Sequence, residues 1–312
     1  MLISTPFNTL YKLLIIFCLL SSALPGCKKH EKVSPKTASP GPEIVIGLIP
    51  EQNIFAQMDR YQLLSDYLSA RIGRPIRWQV EPHYGTIIDN FRSSAVDGAF
   101  GGSFSYVLVH ARTGAEVLVR AEDLNGVSTY RGLIFVRKDS GIKSVKDMKG
   151  KRFAFVDKAT TAGYLLPLAY FKKMGIENYA AYLKEVYFTG THTDAIYDVL
   201  NGKADIGAAK NTVLEKIEAT DSRIKNELIV LERSPELPES SLTVRKDLDP
   251  ALKKKMKQVL LDMYKDPEGQ NVLEQFGARR FIETTDKDYE AVYEYVRQLG
   301  IDLQTFDYGG RK

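Results

Sequence analysis

The run Val96-Asp97-Gly98-Ala99-Phe100-Gly101-Gly102 is echoed later in the chain by Gly202-Lys203-Ala204-Asp205-Ile206-Gly207-Ala208-Ala209, each following a helix-like segment. No fixed period continues between or beyond the two, which excludes a solenoid and predicts two lobes of similar plan. Around each copy, short β-branched runs alternate with amphipathic segments, the grammar of an α/β fold. Ile44–Ile49 is a strand closed by Pro50-Glu51-Gln52-Asn53. Leu63, Leu64, Tyr67, Leu68 and Ile72 then recur at helical spacing up to Gly73. Ile76–Val80 reads as a strand, Ile87–Phe91 as a helix, and Gly98–Tyr106 as a strand running into a Gly- and Ser-rich turn. The pattern restarts at Phe153-Ala154-Phe155-Val156-Asp157, followed by a helix from about Gly163. Leu242–Asp247 repeats the character of Phe135–Asp139, as expected of a pair of interlobe crossings. Helices at 250–265, 267–276 and 286–299 are expected to return to the first lobe. The lobes are thus expected at 43–133 plus 243–312 and at 134–242; a length of 312 residues suits two such units.

The amino terminus reads as an export signal. Lys12 is followed by the apolar run Leu13–Leu20 and then by small residues leading to Cys27, and the run is about half the ~20 residues a spanning helix needs. Leu24-Pro25-Gly26-Cys27 resembles a bacterial lipobox, in which the Cys27 thiol is acylated and becomes the new amino terminus; Pro25 stands where a small residue is usual. Residues 1–26 are then a signal peptide and 27–42, polar and Pro-rich, a tether. The chain has two cysteines, and Cys18 lies inside the apolar run, so the processed chain has no intramolecular disulfide. The net charge of +4 is carried by mixed-sign residues, too weak a bias for nucleic acid.

Catalysis lacks a visible engine. There is no GxSxG elbow, no GxxxxGK[ST] loop, no HExxH and no thiol beyond Cys27. The four histidines occupy separate segments without paired carboxylates or cysteines, so no metal or other cofactor is expected.

Several strand ends carry chemistry of another kind. Asp157-Lys158-Ala159-Thr160-Thr161-Ala162-Gly163 ends a strand and opens a helix, whose first amides lack partners and carry the positive end of its dipole. Thr160 and Thr161 add hydroxyl donors and Ala162-Gly163 keeps bulk away, a cradle for an oxyanion or else an ordinary Thr cap. Ser103 and Ser105 offer a second hydroxyl-bearing turn. His192 opens a helix after Thr189-Gly190-Thr191, with its ring N–H turned to an anion or to the surface. Asp194 caps that helix or accepts from a ligand. Lys210 and Asn211 follow a strand at the carboxyl end, where open α/β sheets place ligands. Glu51 holds the matching position in the first lobe, as a cap or as acceptor of a proton from a hydrogen-bearing oxyanion.

Taken together, GLIPEQN (47–53), DGAFGGSFSY (97–106), STYRGLIFVRKDSGI (128–142), FAFVDKATTAGYLLP (153–167), FTGTHTDAI (188–196) and GKADIGAAKNT (202–212) resemble the phosphate/phosphite/phosphonate-binding (PhnD-like) family of ABC-importer solute receptors. The likeness runs from Ile44 to about Leu303. It implies a type 2 periplasmic binding protein fold, in which two α/β lobes joined by two crossing strands close over an anion in the cleft. It further implies a receptor that serves a permease and an ATPase, with a sensory subunit of the same fold as the alternative; with the lipobox and the missing catalytic motifs, a lipid-anchored, non-enzymatic monomer is expected. Position in these motifs favours a ligand role for Thr160, Thr161, Ala162 and Gly163, and singles out Tyr106 and Tyr130 among 17 tyrosines as cleft walls. Lys210 departs from the neutral or acidic groups the family tends to have here. A lysine in the cleft favours a more highly charged anion and counts against an aminophosphonate; the alternative is that Lys210 points to solvent.

Overall fold

A computed structural model describes residues 41–51 and 54–309. The expected signal peptide, Cys27 and nearly all of the tether lie outside them. The first lobe begins with β1 (Ile44–Leu48), β2 (Ile76–Val80), β3 (Gly98–Gly101) and β4 (Glu116–Asp123). The chain crosses through β5 (Thr129–Tyr130) to β6 (Gly132–Arg137), β7 (Arg152–Phe155), β8 (Glu185–Phe188), β9 (Ile206–Lys210) and β10 (Leu228–Arg233). It returns through β11 (Leu237–Pro238) to β12 (Ser241–Val244) and β13 (Ala278–Glu283). The first sheet has the order β13-β4-β12-β3-β1-β2 and the second β10-β6-β9-β7-β8.

The two sheets share a plan. In each, three parallel strands meet an antiparallel one: β12 pairs with β3 in the first lobe, and β6 pairs with β9 in the second. The echoed motifs therefore supply β3 and β9, which hold equivalent places. Both strands are wholly buried, as their run of small and apolar residues requires of strands covered on both faces.

Three expectations are corrected. Phe135–Asp139 and Leu242–Asp247 are not the crossings, since β6 and β12 are full sheet members. The crossings lie just upstream in β5 and β11, which pair antiparallel with each other, Tyr130 opposite Leu237 and Thr129 opposite Pro238. Two residues suffice there because a crossing pairs only with its twin, whereas the longer apolar runs need a sheet to bury them. Second, Gly98–Tyr106 is strand only to Gly101. Ser103 already begins a helix, Ser103–Thr113, with extended Gly102 as its cap. Phe104, Val107 and Leu108 lie at helical spacing and are fully buried, a signal that the Gly-rich entry obscures. Third, the last helix, Glu290–Leu299, does not simply return to the first lobe: it packs on Ser103–Thr113 of the first and on Leu166–Lys173 of the second.

Each lobe has its own core, around Tyr61, Trp78 and Phe100 in the first and Phe135, Ile196 and Val199 in the second. A third cluster joins them, with Ile49, Tyr84 and Phe104 from one lobe and Phe155, Ala162 and Leu165 from the other. The lobes are closed on each other. The carboxyl-terminal segment reinforces the closure, for Phe306 packs edge-on to Phe104 of the first lobe and beside Tyr164 of the second. Arg112 of the first lobe donates to the carbonyls of Leu303 and Phe306, while Lys158 of the second lobe pairs with Asp307 at 3.2 Å.

Candidate ligand-binding site

Helices start after β3 at Ser103, after β7 at Thr161, after β8 at His192 and after β9 at Asn211. Thr160 is the extended cap of a helical turn, Thr161–Leu165, which continues as Leu166–Lys173; no side chain caps it. Facing it, Ser103 opens its helix from Gly102, again without a side-chain cap. Two uncapped helix starts, one per lobe, place partnerless amides and the positive ends of two dipoles at the interface.

Their hydroxyls meet. Ser103 Oγ lies 2.8 Å from Thr161 Oγ1 and 2.7 Å from Tyr130 Oη, and all three residues are buried. Burial pushes the Tyr130 phenol up, so it stays a neutral donor. Ser105 also spans the lobes, donating to the Ala159 carbonyl at 2.9 Å. Gly163 is required for packing: a Cβ there would fall 2.4 Å from Val156 Cβ. Only without a side chain can the helix start seat itself so close to the end of β7.

His192 is buried at the start of its own helix, His192–Leu200, which Thr191 caps by accepting from the Asp194 amide. Its Nδ1 accepts from the Lys210 amide at 3.4 Å, which assigns the proton to Nε2 and leaves that atom as a donor. Burial, with the Lys210 charge close by, pushes the imidazole down to about 3, so the ring is neutral at ordinary pH.

The other end of the crevice is ionic. Lys210 does not point to solvent. Its Nζ lies 2.6 Å from Glu51 Oε1 of the first lobe, 2.9 Å from Glu239 Oε2 and 3.0 Å from Ser240 Oγ, with its side chain 4% exposed. Burial alone pushes this ammonium down, but Glu239 and Glu51 outweigh it and hold it well above the usual value. Burial likewise pushes the Glu51 carboxyl up, and Lys210 overrides that and lowers it. Lys210 and Glu51 are therefore ionised, and the ammonium is already engaged by the Glu51 and Glu239 side chains. That removes the reading of Lys210 as an attractor of highly charged anions.

The remaining sequence candidates divide. Thr160, Ala162 and Gly163 sit at the helix start beside Thr161, although the Thr160 hydroxyl donates to the Asp157 carbonyl at 2.6 Å. Tyr106 is not brought to the cluster: its hydroxyl donates to Asp286 at 2.9 Å and its ring packs on Tyr289. Asp194 is not the cap of its helix, a place Thr191 takes; its exposed carboxylate accepts from the Thr191 hydroxyl. Asn211 Oδ1 accepts from the Arg131 amide at 2.7 Å, fastening the first crossing to the end of β9.

Tyr84, Glu239 and Ser240 were missed. Tyr84 is 1% exposed, its ring stands edge-on to His192 across the cleft, and its Oη has no hydrogen-bond partner among the described residues. Its position after the carboxyl end of β2 was the available signal, since that is where a parallel sheet places ligand groups. Glu239 and Ser240 sit in PELPESS, which reads as plain loop until the crossing is located.

A cavity of about 480 Å³ borders Glu51, Glu239 and Ser240 together with Tyr61, Phe100 and Lys216. Ser103, Thr161 and Tyr130 do not line it; their hydroxyls satisfy one another and close the space between them. Among the described residues no group of three or more His, Cys, Asp or Glu could hold a metal, and no helix is long and apolar enough to cross a membrane.

Comparison with known proteins bears on the family and the fold. The chain is 26% identical over 265 residues to the probable ABC transporter phosphite binding protein PhnD1 of Prochlorococcus marinus, covering 81% of this chain and 89% of that one. It is 28% identical over 247 residues to the phosphonates-binding periplasmic protein of Escherichia coli, covering 78% and 71%. The structure of Prochlorococcus marinus PhnD1 in complex with methylphosphonate superposes with a TM-score of 0.73 at 24% identity, covering 86% of this chain and 99% of that one. The profile of the family described as "ABC transporter, phosphonate, periplasmic substrate-binding protein" matches residues 46–289. The two-lobed chain with its hydroxyl-lined crevice belongs to that family of periplasmic substrate-binding proteins of ABC importers.

Proposed function

We propose that this chain captures a small phosphorus oxyanion, a phosphonate, phosphite or phosphate, between its lobes and presents it to a permease and ATPase. The observation that carries the reading is the 2.8 Å contact between Ser103 and Thr161, which brings two uncapped helix starts from opposite lobes to one point. An oxyanion entering there exchanges hydroxyl–hydroxyl bonds for charge-assisted ones and gains the amides of both helices. Tyr84 Oη and the Nε2–H of His192 are further neutral donors at hand. Ser103, Tyr130, Thr161, Ala162, Gly163, His192 and Tyr84 form the proposed ligand set. Thr160 shapes the turn, and Ser105 and Asn211 hold the lobes and the crossing in place. The names of the relatives, which specify phosphite and phosphonates, support the ligand class.

Binding without chemistry is part of the reading. Ser103 has hydroxyl neighbours and, among the described residues, no base directed at it. His192 has Nδ1 engaged by the Lys210 amide and its remaining nitrogen protonated, so it donates but does not abstract. The reading also includes export, retention at the membrane through acylated Cys27, and action as a monomer.

A thermal-shift panel of phosphite, phosphate, methylphosphonate, sulfate and molybdate tests it. At least one phosphorus anion is expected to raise the melting temperature by mass action on the folded state, and Thr161→Val to weaken its binding roughly 10- to 100-fold, the worth of a hydrogen bond to a charged group. No shift with any phosphorus anion at millimolar concentration removes the ligand class.

A further inference from the structure

Lys210 differs from the other polar groups of the crevice in having a complete set of partners. An ammonium has three N–H donors. Here they meet Glu51 Oε1, Glu239 Oε2 and Ser240 Oγ at 2.6, 2.9 and 3.0 Å, and the Tyr130 ring covers the nitrogen 4.5 Å from its centre. Two carboxylates, a hydroxyl and an aromatic face make a cage for an alkylammonium ion. The second lobe contributes almost none of it: Glu51 follows β1 of the first lobe, and Glu239 and Ser240 lie on the returning crossing. Only the ammonium comes from the second lobe, at the end of β9.

The cage is held together without the lysine as well. Ser240 Oγ donates to Glu51 Oε1 at 2.8 Å, its amide donates to Glu239 Oε2 at 2.7 Å, and Thr212 donates to Glu239 Oε1 at 3.1 Å. The cage and the hydroxyl cluster share a wall, because the Tyr130 ring that covers Lys210 Nζ carries the hydroxyl bonded to Ser103. A ligand with its phosphoryl group in the cluster and an amine on a short alkyl chain would direct that amine to this cage.

We propose that Lys210 is a specificity-determining residue, a tethered ammonium that fills the subsite a ligand's amine would take and so restricts the receptor to amine-free phosphorus oxyanions. The proposal rests on the phosphorus-oxyanion reading above. An aminoalkylphosphonate faces one of two costs: it must expel Lys210 from two part-buried carboxylates, or bury its own ammonium beside another in a cage whose carboxylates already serve Lys210. Alkylphosphonates, phosphite and phosphate face neither. The same contact links ligand choice to closure. The Lys210–Glu51 pair bridges the lobes by itself, so closure requires no cationic group from the ligand.

The test is calorimetry on the full folded chain with 2-aminoethylphosphonate and n-propylphosphonate, which differ by an ammonium in place of a methyl, alongside methylphosphonate and phosphite. The wild type is expected to bind an amine-free anion and to disfavour 2-aminoethylphosphonate. Lys210→Ala is expected to move the ratio of the two affinities toward the amine by roughly 30-fold or more, the scale of one buried charge-assisted bond. Because Lys210→Ala leaves two carboxylates unpaired, Lys210→Ala with Glu239→Gln is measured in parallel; it keeps Glu51 and Ser240 to receive the amine with one buried charge fewer. Equal affinity of the wild type for the two isosteres, or an unchanged ratio in whichever variant folds, overturns the role of Lys210 while the ligand class stands. Failure of the wild type to bind any phosphorus anion overturns both.

Discussion

The two ends of the crevice solve the same burial problem in opposite ways. At one end Ser103, Tyr130 and Thr161 are neutral hydroxyls bonded to one another, and each can rotate to serve an incoming anion. At the other, Lys210, Glu51 and Glu239 are charges that have already neutralised each other in part. Neutral donors are inexpensive to leave half-satisfied between ligands; buried charges are not, and must be partnered by the protein itself. The hydroxyl end is therefore suited to exchange, and the ionic end to holding the lobes and setting what is excluded.

That contrast is broken or sharpened most strongly by stability. Lys210→Met strands two part-buried carboxylates and is expected to cost about 2–3 kcal/mol in urea unfolding of the ligand-free protein, the low side of what breaking a fully buried pair costs. Ser103→Ala removes a neutral hydroxyl whose partners, Tyr130 and Thr161, remain free to turn, and is expected to cost about 1 kcal/mol. Equal losses in the two variants would mean that the hydroxyl end is as structural as the ionic one.

The halves of this contrast were not equally legible in the sequence. The strand-to-helix turns at Thr161 and His192 announce themselves by their place after apolar runs, whereas at Ser103 the turn is legible and the helix that follows it is not. Tyr106 shows the limit: it shares a turn with Ser103, yet it points to Asp286, and only the helical phase of Ser103–Thr113 decides that. The partners of Lys210 were invisible for another reason. Glu51 and Glu239 are far apart in sequence and are brought to one lysine by the crossings at Thr129–Tyr130 and Leu237–Pro238. A lysine at a strand end reads as a free cation until that pairing is known, and here two carboxylates already engage it.

A smaller effect separates the ends by pH. His192 has a folded value of about 3 against 6.5 when unfolded, so between these limits the unfolded chain binds the extra proton. Stability is thus full above pH 6.5 and declines as pH falls toward 3, with a slope of up to about 1.4 kcal/mol per unit from this residue. Glu51 acts in the same direction at lower pH: its folded value lies below 4.5, so its contribution is present above 4.5 and is lost as pH falls through that lowered value. His192→Asn keeps an acceptor for the Lys210 amide and removes the titration. Unfolding measured from pH 7 to 5 is expected to flatten in this variant, before Glu51 begins to titrate. An unchanged slope there would assign the acid sensitivity to other groups.

The smallest expected effect concerns neither end but the strap that closes over both lobes. Phe306 is only half-buried, yet its ring touches Phe104 of one lobe and Tyr164 of the other. Edge-on aromatic contacts contribute about 0.5–1.5 kcal/mol each beyond the area they bury. If both contacts persisted in the open state, Phe306→Ala would lower stability and leave affinity untouched. A ring that bridges the lobes instead loses one contact on opening, so its removal favours the open state by about 1 kcal/mol, roughly a fivefold weakening of ligand binding. The same mutation leaves the cage around Lys210 and the hydroxyls of Ser103 and Thr161 in place, so the ranking of ligands is expected to stay the same while every affinity falls together. Calorimetry on the anion panel reads both quantities, and a change in ranking would show that the strap shapes the site as well as closing it.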